Sequence, residues 1–157
     1  MADLREAFAS WGYQQVKTLQ AAGNVVFTAD ETNIGRLTTE LEQSLRERYG
    51  YEVPVIIRTF EYIRQLVEAD PFKEVEVTPN TRLYVTFLAA KPESDLQIPY
   101  KSPDIDYEIL SVSDGEVFSV LTLGSKGTTD AMDILANEFG NRITTRNWNT
   151  IVKIVTV

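Results

Sequence analysis

The chain has 157 residues, enough for one domain whose core needs no disulfide or metal to hold it. Hydrophobic residues make up 43% and charged residues 24%, and the net charge of −8 sets the mean field against nucleic acid and anionic membrane. With no cysteine and no histidine, the chain excludes disulfides, thiolate nucleophiles, Ser-His-Asp hydrolysis and imidazole- or thiolate-bound metal.

Carboxylate-bound Mg²⁺ and Lys or carboxylate acid–base chemistry stay open. The acidic pairs Asp104/Asp106, Asp130/Asp133 and Glu74/Glu76 lack metal-loop spacing, so neither a metal nor a cofactor is expected. No apolar run approaches the roughly 20 residues of a membrane span. The opening MADLREAFASW is amphipathic and carries acids, unlike a signal peptide, so the expected setting is the cytoplasm, with no membrane partner.

Leu4, Ala7, Phe8 and Trp11 repeat at helical spacing, and Gly12 follows where a helix would end. Val16–Leu19 and Asn24–Phe27 read as two short strands joined through Ala21-Ala22-Gly23. Ile34, Leu37, Leu41, Leu45 and Tyr49 form the stripe of a second helix, with Asp30 or Thr32 as its cap and Gly50 as its end. Val53–Ile57 is a short apolar run rich in β-branched residues, the pattern of a strand buried on both faces, with Pro54 near its start or at an edge. Thr59 caps a third helix that turns Phe60, Ile63, Leu66 and Val67 inward and stops at Asp70-Pro71.

Leu83–Leu88 is a strand, and Ala89–Asp104, with its prolines and acids, a loop. Tyr107–Ser113 and Glu116–Leu123 flank Asp114-Gly115, the pair that favours a type I′ hairpin turn. A fourth helix from about Asp130 turns Ala131, Ile134, Leu135 and Phe139 to the core and ends at Gly140. The tail carries two patterns. Trp148, Ile151, Val152 and Val155 fit a helix, while the β-branched run from Ile151 to Val157 favours a strand. Helices alternate with hairpins, so the class is α+β: a mostly antiparallel sheet with helices packed on it, built from ferredoxin-like plait elements. We read residues 1–157 as one domain, divisible into α/β subdomains at 1–58 and 59–157.

Six stretches in this order resemble the domain-of-unknown-function 1697 family: Gly23–Phe27, Val53–Arg58, Asp70–Phe72, Leu83–Phe87, Gly124–Lys126 and Thr144–Thr150. The resemblance implies an α+β fold with ferredoxin-like elements and a mainly bacterial distribution. It implies no activity, because none is established for the family. Family members usually begin with a strand and a glycine-rich turn ahead of the helix that here starts at Leu4. In a plait that strand is central, so its absence should leave two unpaired strand edges. The expectation is therefore a truncated sequence, which upstream coding DNA would reveal. The polar residues usual before the family's Gly-Asn are Ala21-Ala22 here, which weakens any polar role for that turn. Relatives often carry Leu in the tail, which favours the helical reading there. Thr144 or Thr145 would then be the cap, with Arg146 and Asn147 in the first turn.

Two candidate sites follow. Gly124-Ser125-Lys126-Gly127 leads into a helix, where glycines, free N–H groups and a cation suit an anion. It lacks the Walker A spacing, and the plain alternative is that Thr128 or Thr129 caps the helix. Around Trp148, Arg146, Asn147 and Asn149 exceed what a cap requires, and such a surplus suits binding. Lys126 and Arg146 would bracket one small anionic ligand, joined by Arg58 and Ser125. Surface ion pairing is the plain alternative for Arg58. The expected function is binding of a small anionic ligand or a protein partner near Thr144–Asn149, a second copy of the chain being one such partner. The alternative is an enzyme acting on a phosphorylated or carboxylate substrate with Lys126 and Arg146.

Overall fold

A computed structural model describes residues 2–19, 23–124 and 127–157. In chain order it holds α1 (Ala2–Ser10), β1 (Gln14–Leu19), β2 (Asn24–Thr28), α2 (Ile34–Tyr49), α3 (Phe60–Ala69), β3 (Thr81–Leu88), β4 (Tyr100–Lys101), β5 (Tyr107–Val112), β6 (Glu116–Thr122), α4 (Thr128–Phe139), β7 (Ile143–Asn147) and α5 (Trp148–Ile154). β1 and β2 form a two-stranded antiparallel sheet. The other strands form a five-stranded antiparallel sheet in the order β4-β5-β6-β3-β7. The class is α+β.

The amphipathic stripes place the helices. Leu37, Leu41 and Leu45 of α2 meet Phe8 of α1 in an N-terminal core, joined by Val25 and Phe27 of β2. The cap of α2 is Asn33, not Asp30 or Thr32. Its side-chain oxygen accepts the Arg36 N–H at 3.0 Å, one turn into a helix that begins at Ile34. Gly50 closes the helix at φ 79°, a left-handed position open to glycine. Thr59 caps α3 as expected, accepting from the Tyr62 N–H at 3.1 Å. Phe60, however, is 43% exposed, because the first turn of α3 points away from the core that Ile63 enters.

The large sheet is packed on both faces. Tyr84 and Leu88 of β3 join Ala131 and Leu135 of α4, while Val85 and Phe87 join Ile63 of α3 and Trp148 and Ile151 of α5. This is why Leu83–Leu88 reads as a nearly continuous apolar run. Its one polar member at the centre, Thr86, is fully buried and shares a hydrogen bond with Thr145 across the β3–β7 ladder at 2.8 Å.

Five local expectations need correction. Val53–Ile57 runs beside the N-terminal core but belongs to no sheet among the described residues. Tyr100 and Lys101, read as loop, pair with β5 as a short edge strand. At the hairpin neither Asp114 nor Gly115 has positive φ, so the turn is not type I′. The Gly115 carbonyl instead accepts from the Leu88 N–H and from Arg58, each at 2.9 Å, which fixes the tip against β3. Helix α4 starts at Thr128, so Thr128 and Thr129 lie inside it; its cap is Gly127, with no side-chain bond. Finally, Thr144, Thr145 and Arg146 form strand β7 rather than a helix start. Partnership with β3 outweighs local helical spacing there, and the helix begins at Trp148 with Asn147 as its cap residue.

Candidate functional site

The outer edge of β2 and the extended segment 53–57 form the walls of a groove of about 660 Å³. Its floor is apolar: Phe8 of α1 and Leu37, Leu41 and Leu45 of α2, all buried, line it. On the opposite side Ile63, Phe87 and Ile151 of the second core line it as well. The groove thus lies between two hydrophobic clusters. Alternation along 53–57 serves both, with Val53, Val55 and Ile57 packed on the N-terminal core and Ile56 on the other.

The charged lining runs against the whole-chain balance. Among the described residues, Arg58, Arg142 and Arg146 line the groove with Glu31, and the Glu42 carboxylate, which accepts the Val55 N–H of its wall, stands 3.9 Å from Arg142. Arg146, half-buried in β7, donates from Nε to the Asn24 side chain at 2.7 Å. From Nη1 it donates to Thr144 Oγ1 at 2.7 Å and to the Thr145 carbonyl at 3.0 Å. Burial lowers its pKa from the usual guanidinium value. Strand geometry explains the grouping, since Thr144 and Arg146 are two apart and share the face turned to β2. Arg146 therefore ties the large sheet to the start of β2.

Arg58 is equally occupied. It donates to the carbonyls of Ile57 (3.1 Å), Leu88 (2.9 Å) and Gly115 (2.9 Å), and lies over the rings of Phe87 and Tyr62. Beside it, the buried Glu116 carboxylate accepts from the Tyr62 hydroxyl at 2.7 and 2.9 Å and from Ser113 Oγ at 3.1 Å. A Cβ at Gly115 would stand 3.0 Å from that hydroxyl, so a larger residue there would press on the Tyr62–Glu116 contact.

Burial and then the Glu116 carboxylate push the Tyr62 phenol from 10.0 up to about 12. The folded state therefore holds this proton more tightly than the unfolded state. The contribution is complete below pH 10 and disappears as pH rises from 10 to about 12. Urea titrations across that window should show a smaller loss of stability for Tyr62→Phe than for the parent chain.

The six predicted site residues separate. Arg58 and Arg146 line the one groove, whereas Asn147 and Asn149 are exposed and do not line it. Ser125 and Lys126 lie outside the described residues. The polar surplus before Trp148 is used by the sheet: Thr145 partners Thr86, and Thr144 partners Arg146. Sequence reasoning passed over Asn24 and the groove walls. Their signal was present in Val53–Ile57, apolar on both faces and so in need of cover on both.

Residues 1–118 match a family described as protein of unknown function (DUF1697). The match ends before β7 and α5, so the Thr144–Thr150 stretch falls outside it. No curated protein and no solved structure matches the chain.

Proposed function

We propose, for a chain that belongs to the DUF1697 family of unknown function, that it works as a small cytoplasmic binding module whose ligand seat is the groove between β2 and residues 53–57. The supporting observation is the lining itself: an apolar floor and opposite side, with Arg58 and Arg146 at its rim and Arg142 paired with Glu42, in a chain of net charge −8. An apolar ligand with an acidic group fits that chemistry. The order β7-β3-β6-β5 numbers as 4-1-3-2 along the chain, leaving aside the two-residue β4, and supports a ferredoxin-like reading of the large sheet.

Anilinonaphthalene sulfonate, an apolar anion, tests the seat. One molecule should bind per folded chain. Val26→Asp places a carboxylate on the groove wall, while its neighbours Val25 and Phe27 keep the N-terminal core packed. The substitution should weaken dye binding about tenfold, or ~1.4 kcal/mol. An unchanged affinity in a variant that still unfolds cooperatively would place the dye elsewhere and reject this seat.

A further inference from the structure

We propose that Asp114 is a site of spontaneous main-chain isomerisation, and that its isoaspartate product releases the hairpin tip from Arg58 and Leu88. Asp114 and Gly115 form the tip between Ser113 and Glu116, which is closed by the Ser113 N–H donating to the Glu116 carbonyl at 2.9 Å. The Asp114 side chain is 80% exposed, and its ion-pair partner, Lys91 at 4.0 Å, is exposed as well. So loose a surface pair holds the carboxylate little. One peptide unit of the tip is unheld. Glu116 N–H donates to Ser113 Oγ at 3.2 Å, but among the described residues neither the Asp114 carbonyl nor the Gly115 N–H makes a hydrogen bond. The two groups that react, the Asp114 carboxyl and the Gly115 nitrogen, thus lie side by side at the surface with no bond to break first.

The Gly115 nitrogen attacks Asp114 Cγ. A C–N bond forms, the carboxyl C–O bond breaks, and one water leaves with the amide proton, closing a succinimide ring. Gly115 has no Cβ to shield its nitrogen from this approach. Water then reopens the ring. Cleavage at Cγ returns aspartate. Cleavage at the main-chain carbonyl leaves Gly115 joined to Cγ and frees the α-carboxylate. Nothing is oxidised or reduced and the composition is unchanged, but the main chain is one carbon longer. The tip has no room for that carbon. The Gly115 carbonyl accepts from the Leu88 N–H and from Arg58 Nη2, each at 2.9 Å, and a Cβ on Gly115 would meet the Tyr62 hydroxyl at 3.0 Å. Lengthening the chain just ahead of this carbonyl moves it off both donors.

The test is to age the folded chain at neutral pH and physiological temperature. Isoaspartate is read by labelled methyl transfer from S-adenosylmethionine with a protein isoaspartyl methyltransferase, and placed by mass spectrometry of the tryptic peptide Ser102–Lys126. That peptide carries its own controls. Asp104 and Asp106 precede Ile105 and Tyr107, whose side chains shield the attacking nitrogen, and should stay unmodified while Asp114 converts. Asp114→Glu, which would need a larger ring, should fold as the parent does and accept no label in this peptide. The isomerised chain, separated by ion exchange, should melt roughly 3 °C or more below the parent, and its Leu88 amide should lose protection from hydrogen exchange. Isoaspartate that forms in urea but not in the folded chain would overturn the site, because the tip would then be held against attack. An isomerised chain with unchanged melting and a protected Leu88 amide would overturn the release of the tip.

Discussion

Trp148→Ala is expected to lower the free energy of unfolding by about 3–5 kcal/mol, the range for deleting a large buried aromatic side chain. Trp148 is 7% exposed and opens α5 directly after β7. Its ring stands edge-to-face with Phe72 at 5.4 Å and with Phe118 at 5.9 Å, and those two stand edge-to-face with each other at 5.7 Å. Such pairs add about 0.5–1.5 kcal/mol beyond burial. One side chain thus joins α5, the sheet and the segment after α3. Urea unfolding followed by circular dichroism measures the loss, with Trp148→Phe as the comparison that keeps an aromatic ring. A loss below about 1 kcal/mol would mean that the second core collapses around the gap, and that α5 is held by other contacts.

The same residue marks where local reading of the tail succeeds and where it stops. From Trp148 onward the helical spacing was correct, and Ile151 enters the core with it. Immediately before Trp148 it failed, because the cause is not local. Thr144–Asn147 is a strand because β3 offers it an edge about 60 residues away. Thr145 is polar because its neighbour across that edge is the buried Thr86. Neither fact leaves a trace in the spacing of the tail. Val53–Ile57 is the converse case. Its composition announced a strand with two covered faces, and its residues do face two cores, but a ladder needs a second chain segment. Arg58 was legible only as a cation. That it binds the Gly115 and Leu88 carbonyls depends on the hairpin tip arriving beside β3, which three-residue local patterns do not encode. The helices were the most legible part through their amphipathic stripes, which are written within one or two turns, although the caps of α2, α4 and α5 fell on other residues than expected.

Arg146→Ala is expected to cost roughly 2–3 kcal/mol, as hydrogen bonds to a charged group contribute about 1.5–3 kcal/mol each and part of the loss is recovered by water. Arg146→Lys should restore little. The guanidinium reaches Asn24 through Nε and Thr144 with the Thr145 carbonyl through Nη1, and a single ammonium cannot hold those diverging directions. The decisive measurement is a double-mutant cycle with Asn24→Ala in urea. If Arg146 pins β2 to the large sheet, the cycle should return a coupling of about 1–3 kcal/mol. The pin would then fix one wall of the groove relative to the side formed by Phe87 and Ile151, and Arg146 would act on binding by holding the seat open at one width. An additive cycle with stability unchanged would release Arg146 from that role. A role in binding would then show in the dye instead, as a smaller salt dependence of anilinonaphthalene sulfonate affinity when Arg146 is removed. The two roles thus predict different signatures from one substitution, one in the unfolding of the chain and one in the ionic-strength dependence of binding.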